Sequence, residues 1–113
     1  MSIKREIKND VVVEKIDIQR ATYKEAGDLK AEFDKDFEEG FVKIVIDLSE
    51  CKYMDSTFLG VLVKSLKYIS EKGGDIKLAA AHSDAEVLLD LTRMNRVFKL
   101  FKTVDEAIAS FKE

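Results

Sequence analysis

The apolar positions of this chain fall into short clusters whose spacing changes along its length. Residues 3–8 and 11–18 read as two strands, with Asn9 and Asp10 suited to a tight turn between them. Thr22 and Glu25 then form a T-x-x-E capping box. Ala26, Leu29, Phe33 and Phe37 follow at helical spacing, and Gly40 marks the helix end. Residues 42–48 are β-branched and almost wholly apolar, as a central strand buried on both faces would be.

A loop is predicted over residues 49–55. A second helix over 57–72 carries Leu59, Leu62, Leu66 and Ile69, with Gly73 and Gly74 closing it. Residues 76–80 read as a strand. Ser83 and Glu86 form a second capping box, ahead of Val87, Leu88 and Leu91. Residues 97–101 read as a short strand. Thr103 and Glu106 form a third box, before Ala107, Ile108 and Phe111. The order β-β-α-β-α-β-α-β-α predicts a small α/β domain with four helices and a mixed sheet of four or five strands. Sites in such sheets lie at the C-terminal ends of strands, which is where the loop after Leu48 falls.

Composition narrows the function. The 113 residues are 46% hydrophobic and 36% charged, a globular balance that fits one domain over residues 1–113. With 19 basic and 22 acidic residues interspersed, the net charge of -3 supports no general claim on nucleic acid or an anionic membrane. Residues 1–8 hold no signal-peptide core, and no apolar run reaches bilayer-spanning length. Cys51 is alone and cannot form an internal disulfide. A cytoplasmic location is the expectation.

Catalytic patterns are missing. Neither G-x-x-x-x-G-K-[ST] nor G-x-G-x-x-G occurs. His82, the single histidine, and Cys51 cannot furnish a usual zinc site, so no metal, cofactor or catalytic residue is expected. His82 reads as a loop residue and Cys51 as a partly buried thiol. Asp34, Asp36, Glu38 and Glu39 read as a solvated helix face.

The informative stretch is Tyr53-Met54-Asp55-Ser56-Thr57-Phe58-Leu59-Gly60, where a loop becomes a helix. Asp55 or Ser56 can serve as the N-cap. A serine hydroxyl placed there is also a modification site whose phosphate the helix dipole and free N–H groups would tolerate. Phe58, beside Leu59, is either a core flank or an exposed partner contact. Gly60 lies inside the helix, where a close approach of a neighbouring strand would explain it.

Val45-Ile46-Asp47-Leu48-Ser49, Met54-Asp55-Ser56-Thr57 and Leu59-Gly60-Val61-Leu62 resemble the signature of the STAS domain, and more narrowly the bacterial anti-sigma factor antagonists. Lys72-Gly73-Gly74 and Arg96-Val97-Phe98-Lys99-Leu100-Phe101 match the same pattern, so the resemblance covers nearly the whole chain. It implies a STAS-like fold and a partner switch. By that resemblance, a serine kinase that is also the anti-sigma factor would phosphorylate Ser56, a metal-dependent serine phosphatase would reverse this, and the unphosphorylated form would capture the anti-sigma factor. The alternative implied role is an adaptor subunit of another signalling or transport complex. Two departures from the family pattern bear on partner identity: Phe58 stands where glycine is common, and Asp17-Ile18-Gln19-Arg20 replaces a Gly-x-[Ile/Leu]-Asp segment. The expected partner surface centres on Asp55, Ser56, Thr57 and Phe58, with Lys52, Gln19 and His82 at its rim, on a monomer.

Overall fold

The computed structural model describes residues 2–112; Met1, the first residue of the segment read as lacking a signal core, and Glu113 lie outside the described residues. Strands β1 (Ile3–Lys8) and β2 (Val11–Ile16) form the antiparallel hairpin, closed by Asn9 in the left-handed region at φ 59. Strands β4 (Lys43–Asp47), β6 (Asp75–Ala79) and β7 (Leu100–Phe101) extend it in parallel, giving a five-stranded mixed sheet of order β1-β2-β4-β6-β7. β7 is shorter than the strand expected over 97–101, because the N–H groups of Val97 and Phe98 donate back to the Met94 carbonyl at the end of a 3-10 turn (Met94–Arg96).

Alternation along the strands divides the core between two faces. Ile44 and Ile46 point to the face covered by helices α1 (Tyr23–Glu38), α2 (Ser56–Ser70) and α3 (Ser83–Leu91). Val45, with Val11, Val13 and Ala79, points to the face covered by α4 (Val104–Ser110) through Ala107. Helix α2 buries the anticipated Leu59, Leu62, Leu66 and Ile69, α1 buries Ala26, Leu29 and Phe33 and leaves Phe37 half-buried, and the Thr22–Glu25 capping box forms.

Several expectations shift. The loop over 49–55 contains a two-residue strand β5 (Tyr53–Met54), paired in parallel with β3 (Arg20–Ala21). Helix α3 is capped by His82, whose Nδ1 accepts from the Asp84 N–H at 3.2 Å, and Ser83 is the first helical residue instead of the cap. Its buried residues are Ala85 and Leu89; Val87 and Leu91 face solvent. Both pairs have helical spacing, and two residues of offset turns one pair about 200° from the other. Asp36 is buried, not part of a solvated face, and Glu14 of β2 is buried beneath α1 with it.

Gly60 has open space where a Cβ would stand, so no close approach requires it. Gly60→Ala is therefore expected to raise stability by about 1 kcal/mol, read as a higher urea midpoint. A lower midpoint would show that the position is constrained in a way its surroundings do not reveal.

Candidate functional site

Asp55 organises the start of α2. It is the N-cap, with extended backbone, and its Oδ1 accepts from the Phe58 N–H at 2.9 Å. Its Oδ2 accepts from the Tyr23 N–H, the first residue of α1, at 2.8 Å. One carboxylate thus joins the N-termini of two helices, and both partial positive ends stabilise its charge. The Asp55 N–H donates to the Ala21 carbonyl at 3.0 Å, fixing the same junction through the backbone.

Ser56 follows as the first residue of α2, exposed, with a hydroxyl that makes no hydrogen bond among the described residues. Capping belongs to Asp55, so Ser56 carries no duty in holding the helix. The first-turn N–H groups of Ser56 and Thr57 lie ahead of the intrahelical ladder and remain available to an anion. Thr57 is also exposed.

Phe58 is the clear correction to the expected surface. It is fully buried, and Phe58, Leu62, Leu66 and Ile69 run along the core line of α2 while Leu59 flanks it. A side chain sealed under the helix cannot touch a docked partner. The exposed aromatic rings near Ser56 are Tyr23 and Tyr53, neither of which is among the residues expected at the partner surface. Their signal was positional: Tyr23 follows the Thr22 cap, and Tyr53 is two residues ahead of Asp55.

Gln19 and Lys52 are exposed and adjoin one another, since the Gln19 carbonyl accepts from the N–H groups of Lys52 at 2.9 Å and Tyr53 at 3.0 Å. His82 lies past the C-terminal end of the neighbouring strand β6, engaged as the cap of α3. Cys51 is fully buried, and burial pushes its thiol up, against weaker lowering by backbone hydrogen bonds. Among the described residues, no group of three or more His, Cys, Asp or Glu is arranged to hold a metal ion. A groove of about 540 Å³ between α1 and α2 is lined by Phe37, Val61 and Tyr68, towards the C-terminal halves of the helices and away from Ser56.

The architecture is that of an α/β domain whose parallel strands deliver helix N-termini to one end of a mixed sheet. The chain belongs to the STAS domain family, whose pattern matches residues 3–107. A Thermotoga maritima protein provisionally named an anti-sigma factor antagonist is 38% identical over 76 residues, 67% of each chain. A crystal structure of a Thermotoga maritima protein with the same provisional name superposes with a TM-score of 0.87 at 31% identity, covering 98% of this chain and 95% of that one. The unphosphorylated form of the anti-sigma factor antagonist SpoIIAA shares the fold, with a TM-score of 0.75 at 14% identity over 97% of both chains. No helix among the described residues is long and apolar enough to cross a membrane.

Proposed function

We propose that this chain is an anti-sigma factor antagonist that works as a partner switch, with Ser56 as the switch residue. Unphosphorylated, it binds an anti-sigma factor that is also a serine kinase; phosphorylation of Ser56 releases it, and a serine phosphatase restores binding. The chain acts by binding as a single-domain cytoplasmic monomer, without catalysis, metal or cofactor. The relatives named as antagonists support the class of partner. The observation that carries the switch is the division of labour between neighbours: Asp55 caps α2, leaving the Ser56 hydroxyl exposed and unengaged.

Phosphate adds roughly -1.5 to -2 charge at pH 7. At the first turn of a helix that charge is tolerated, so the fold persists while the surface changes. Phosphorylation of Ser56 is expected to weaken partner binding by about 1–3 kcal/mol or more, with little change in melting temperature. Because Ser56 makes no cap bond, Ser56→Ala should stay within about 0.5 kcal/mol of the parent and remain able to bind. Ser56→Asp should reproduce part of the block, having less charge than phosphate.

The test is a kinase reaction with extract of the native cell, mass spectrometry of the product, and a binding titration of each form against the captured kinase. Label at Thr57 with Ser56 unmodified would overturn the assignment. Equal affinity of the two forms would overturn the switch. Recovery of the chain in a transporter complex, with no label at Ser56, would favour the adaptor role instead.

A further inference from the structure

We infer that the open edge of β1 is a pairing surface for a second copy of this chain, the two sheets joining antiparallel about a two-fold axis at Arg5. The pairing is a weak equilibrium of the monomer, at a sheet edge two strands away from β4, whose end leads to Ser56.

The two edges of the sheet differ. β7 ends one side with two residues, too short to template another strand. β1 ends the other with six, and it pairs with β2 alone. The hairpin sets which backbone groups are free. The Asp17 N–H donates to the Ser2 carbonyl at 2.7 Å, one step past the Ile3–Ile16 pair. Alternate residues bond to the same side, so Ser2, Lys4, Glu6 and Lys8 bond to β2, and the N–H and C=O groups of Ile3, Arg5 and Ile7 point out of the edge. Among the described residues nothing else takes them. Ile7, 46% exposed, adds an apolar side chain to this edge.

Lysines on an edge strand ordinarily keep copies apart. Here the charges alternate in sign, and the register decides their effect. Lys4, Glu6 and Lys8 share the face opposite Arg5. A two-fold centred on Glu6 would set Glu6 against Glu6 and Lys4 against Lys8. One centred on Lys4 would oppose the two lysines, and one centred on Ile7 would leave Ile3 and Lys4 unmatched. Centred on Arg5, the axis sets Lys4 against Glu6 of the second copy twice and Ile3 against Ile7 twice, so unlike charges meet and the exposed Ile7 is covered. Ile3, Arg5 and Ile7 then form hydrogen-bonded pairs across the axis, about six bonds in all. The two Arg5 side chains meet there, each neutralised within its own chain by Asp36 at 2.7 Å and Glu39 at 3.1 Å. Lys4 meets Asp17 at 2.7 Å and Glu6 meets Lys8 at 3.8 Å, yet the Lys4 and Glu6 side chains are 67% and 64% exposed and remain within reach of a second copy. Two strand edges bury less than the roughly 1,200 Å² of a stable complex, which makes the dimer a weak one.

The experiment is sedimentation equilibrium of the full chain from about 10 µM to about 1 mM, the range in which a small interface associates. The mass is expected to rise from one chain towards two and no further, because a two-fold contact closes on itself. Glu6→Lys and Lys4→Glu should each weaken self-association about tenfold, since each sets like charges face to face twice. An equimolar mixture of the two variants should associate again, to within about threefold of the parent, because the pairs between copies are then unlike. Ile7→Pro should keep the hairpin, whose ladder does not use that N–H, and lose the dimer. Circular dichroism checks the fold of each variant, and the charge variants carry the test should Ile7→Pro unfold. A parent that stays a single chain at the top of the range overturns the inference. So does a dimer that both charge variants leave intact, and so does a mixture that fails to recover.

Discussion

Replacing Arg5 by alanine is expected to cost about 3–5 kcal/mol of stability, the scale of a buried ionic group that loses its partner. The Arg5 Nε donates to Asp36 Oδ1 at 2.7 Å, and Nη2 reaches Glu39 Oε1 at 3.1 Å. Glu14 stands across β1 and β2 from Arg5, 3.9 Å from Nε. Glu14 and Asp36 are both fully buried, and Glu14 Oε1 and Oε2 and Asp36 Oδ2 have no hydrogen-bond donor in their surroundings. A proton resolves this. Burial, then the hydrogen bond and charge of Asp36 and the charge of Glu32, push the Glu14 carboxyl up to about 10, against a lowering by Arg5. Protonated Glu14 donates to Asp36, while Arg5 supplies the cation for the pair. Without Arg5, the Asp36 carboxylate keeps only that proton for company in an apolar setting. Urea denaturation of Arg5→Ala reads the loss, and Arg5→Ala with Asp36→Asn should recover part of it. A loss under about 1 kcal/mol would show that water reaches the cluster.

The same cluster sets a direction with pH. Burial and the neighbouring Asp36 hold the folded carboxyl of Glu14 up at about 10, well above the ordinary 4.5 of the same group in an unfolded chain. Between those values the folded state holds the proton and the unfolded state does not. The stabilisation is fully present below the lower value and is lost as pH rises towards the upper one, by no more than about 1.4 kcal/mol per unit. Glu14→Gln keeps a donor for Asp36 and cannot ionise, so its stability should lack this alkaline decline. Parallel curves for parent and variant from pH 5 to 9 would refute the assignment.

Gly74→Ala is the second large effect, expected at about 3 kcal/mol or more. A Cβ on Gly74 would collide with the Val42 carbonyl oxygen and lie 2.7 Å from Val42 Cβ and 2.8 Å from Ile69 Cγ1. The first obstacle is backbone at the start of β4, which cannot move without disturbing the central ladder; the Gly74 N–H also closes α2 on the Ile69 carbonyl at 2.9 Å. Gly73 offers a control. It has open space but a φ of 79, so its alanine variant should suffer only the left-handed penalty of about 1–2 kcal/mol. If Gly73→Ala proves the costlier of the two, the collision at Gly74 is relieved by some movement of Val42.

The large elements were legible because their signals are local. The hairpin turn at Asn9, the Thr22 box and the apolar residues of β4 each state their structure within a few positions. What was missed depends on partners distant in sequence. The β3–β5 ladder has two residues per strand, too short for any period to register. The charges of Arg5, Glu14 and Asp36 pass for surface residues until β1, β2 and α1 bring them together. In α3, stripes of equal spacing compete, and the side of the sheet decides that Ala85 and Leu89 go inward. At the candidate site the exposed hydroxyl of Ser56 was anticipated, whereas Phe58 was resolved only by the width of the face that α2 buries.

Because Asp55 alone caps α2, position 56 is chemically vacant as far as folding is concerned. That makes it a handle. Ser56→Cys would place a reactive thiol at the site, while Cys51 lies sealed in the core with its thiolate disfavoured by burial. A fluorophore attached at that one position would report partner arrival and departure in real time, from a chain that needs no other cysteine removed.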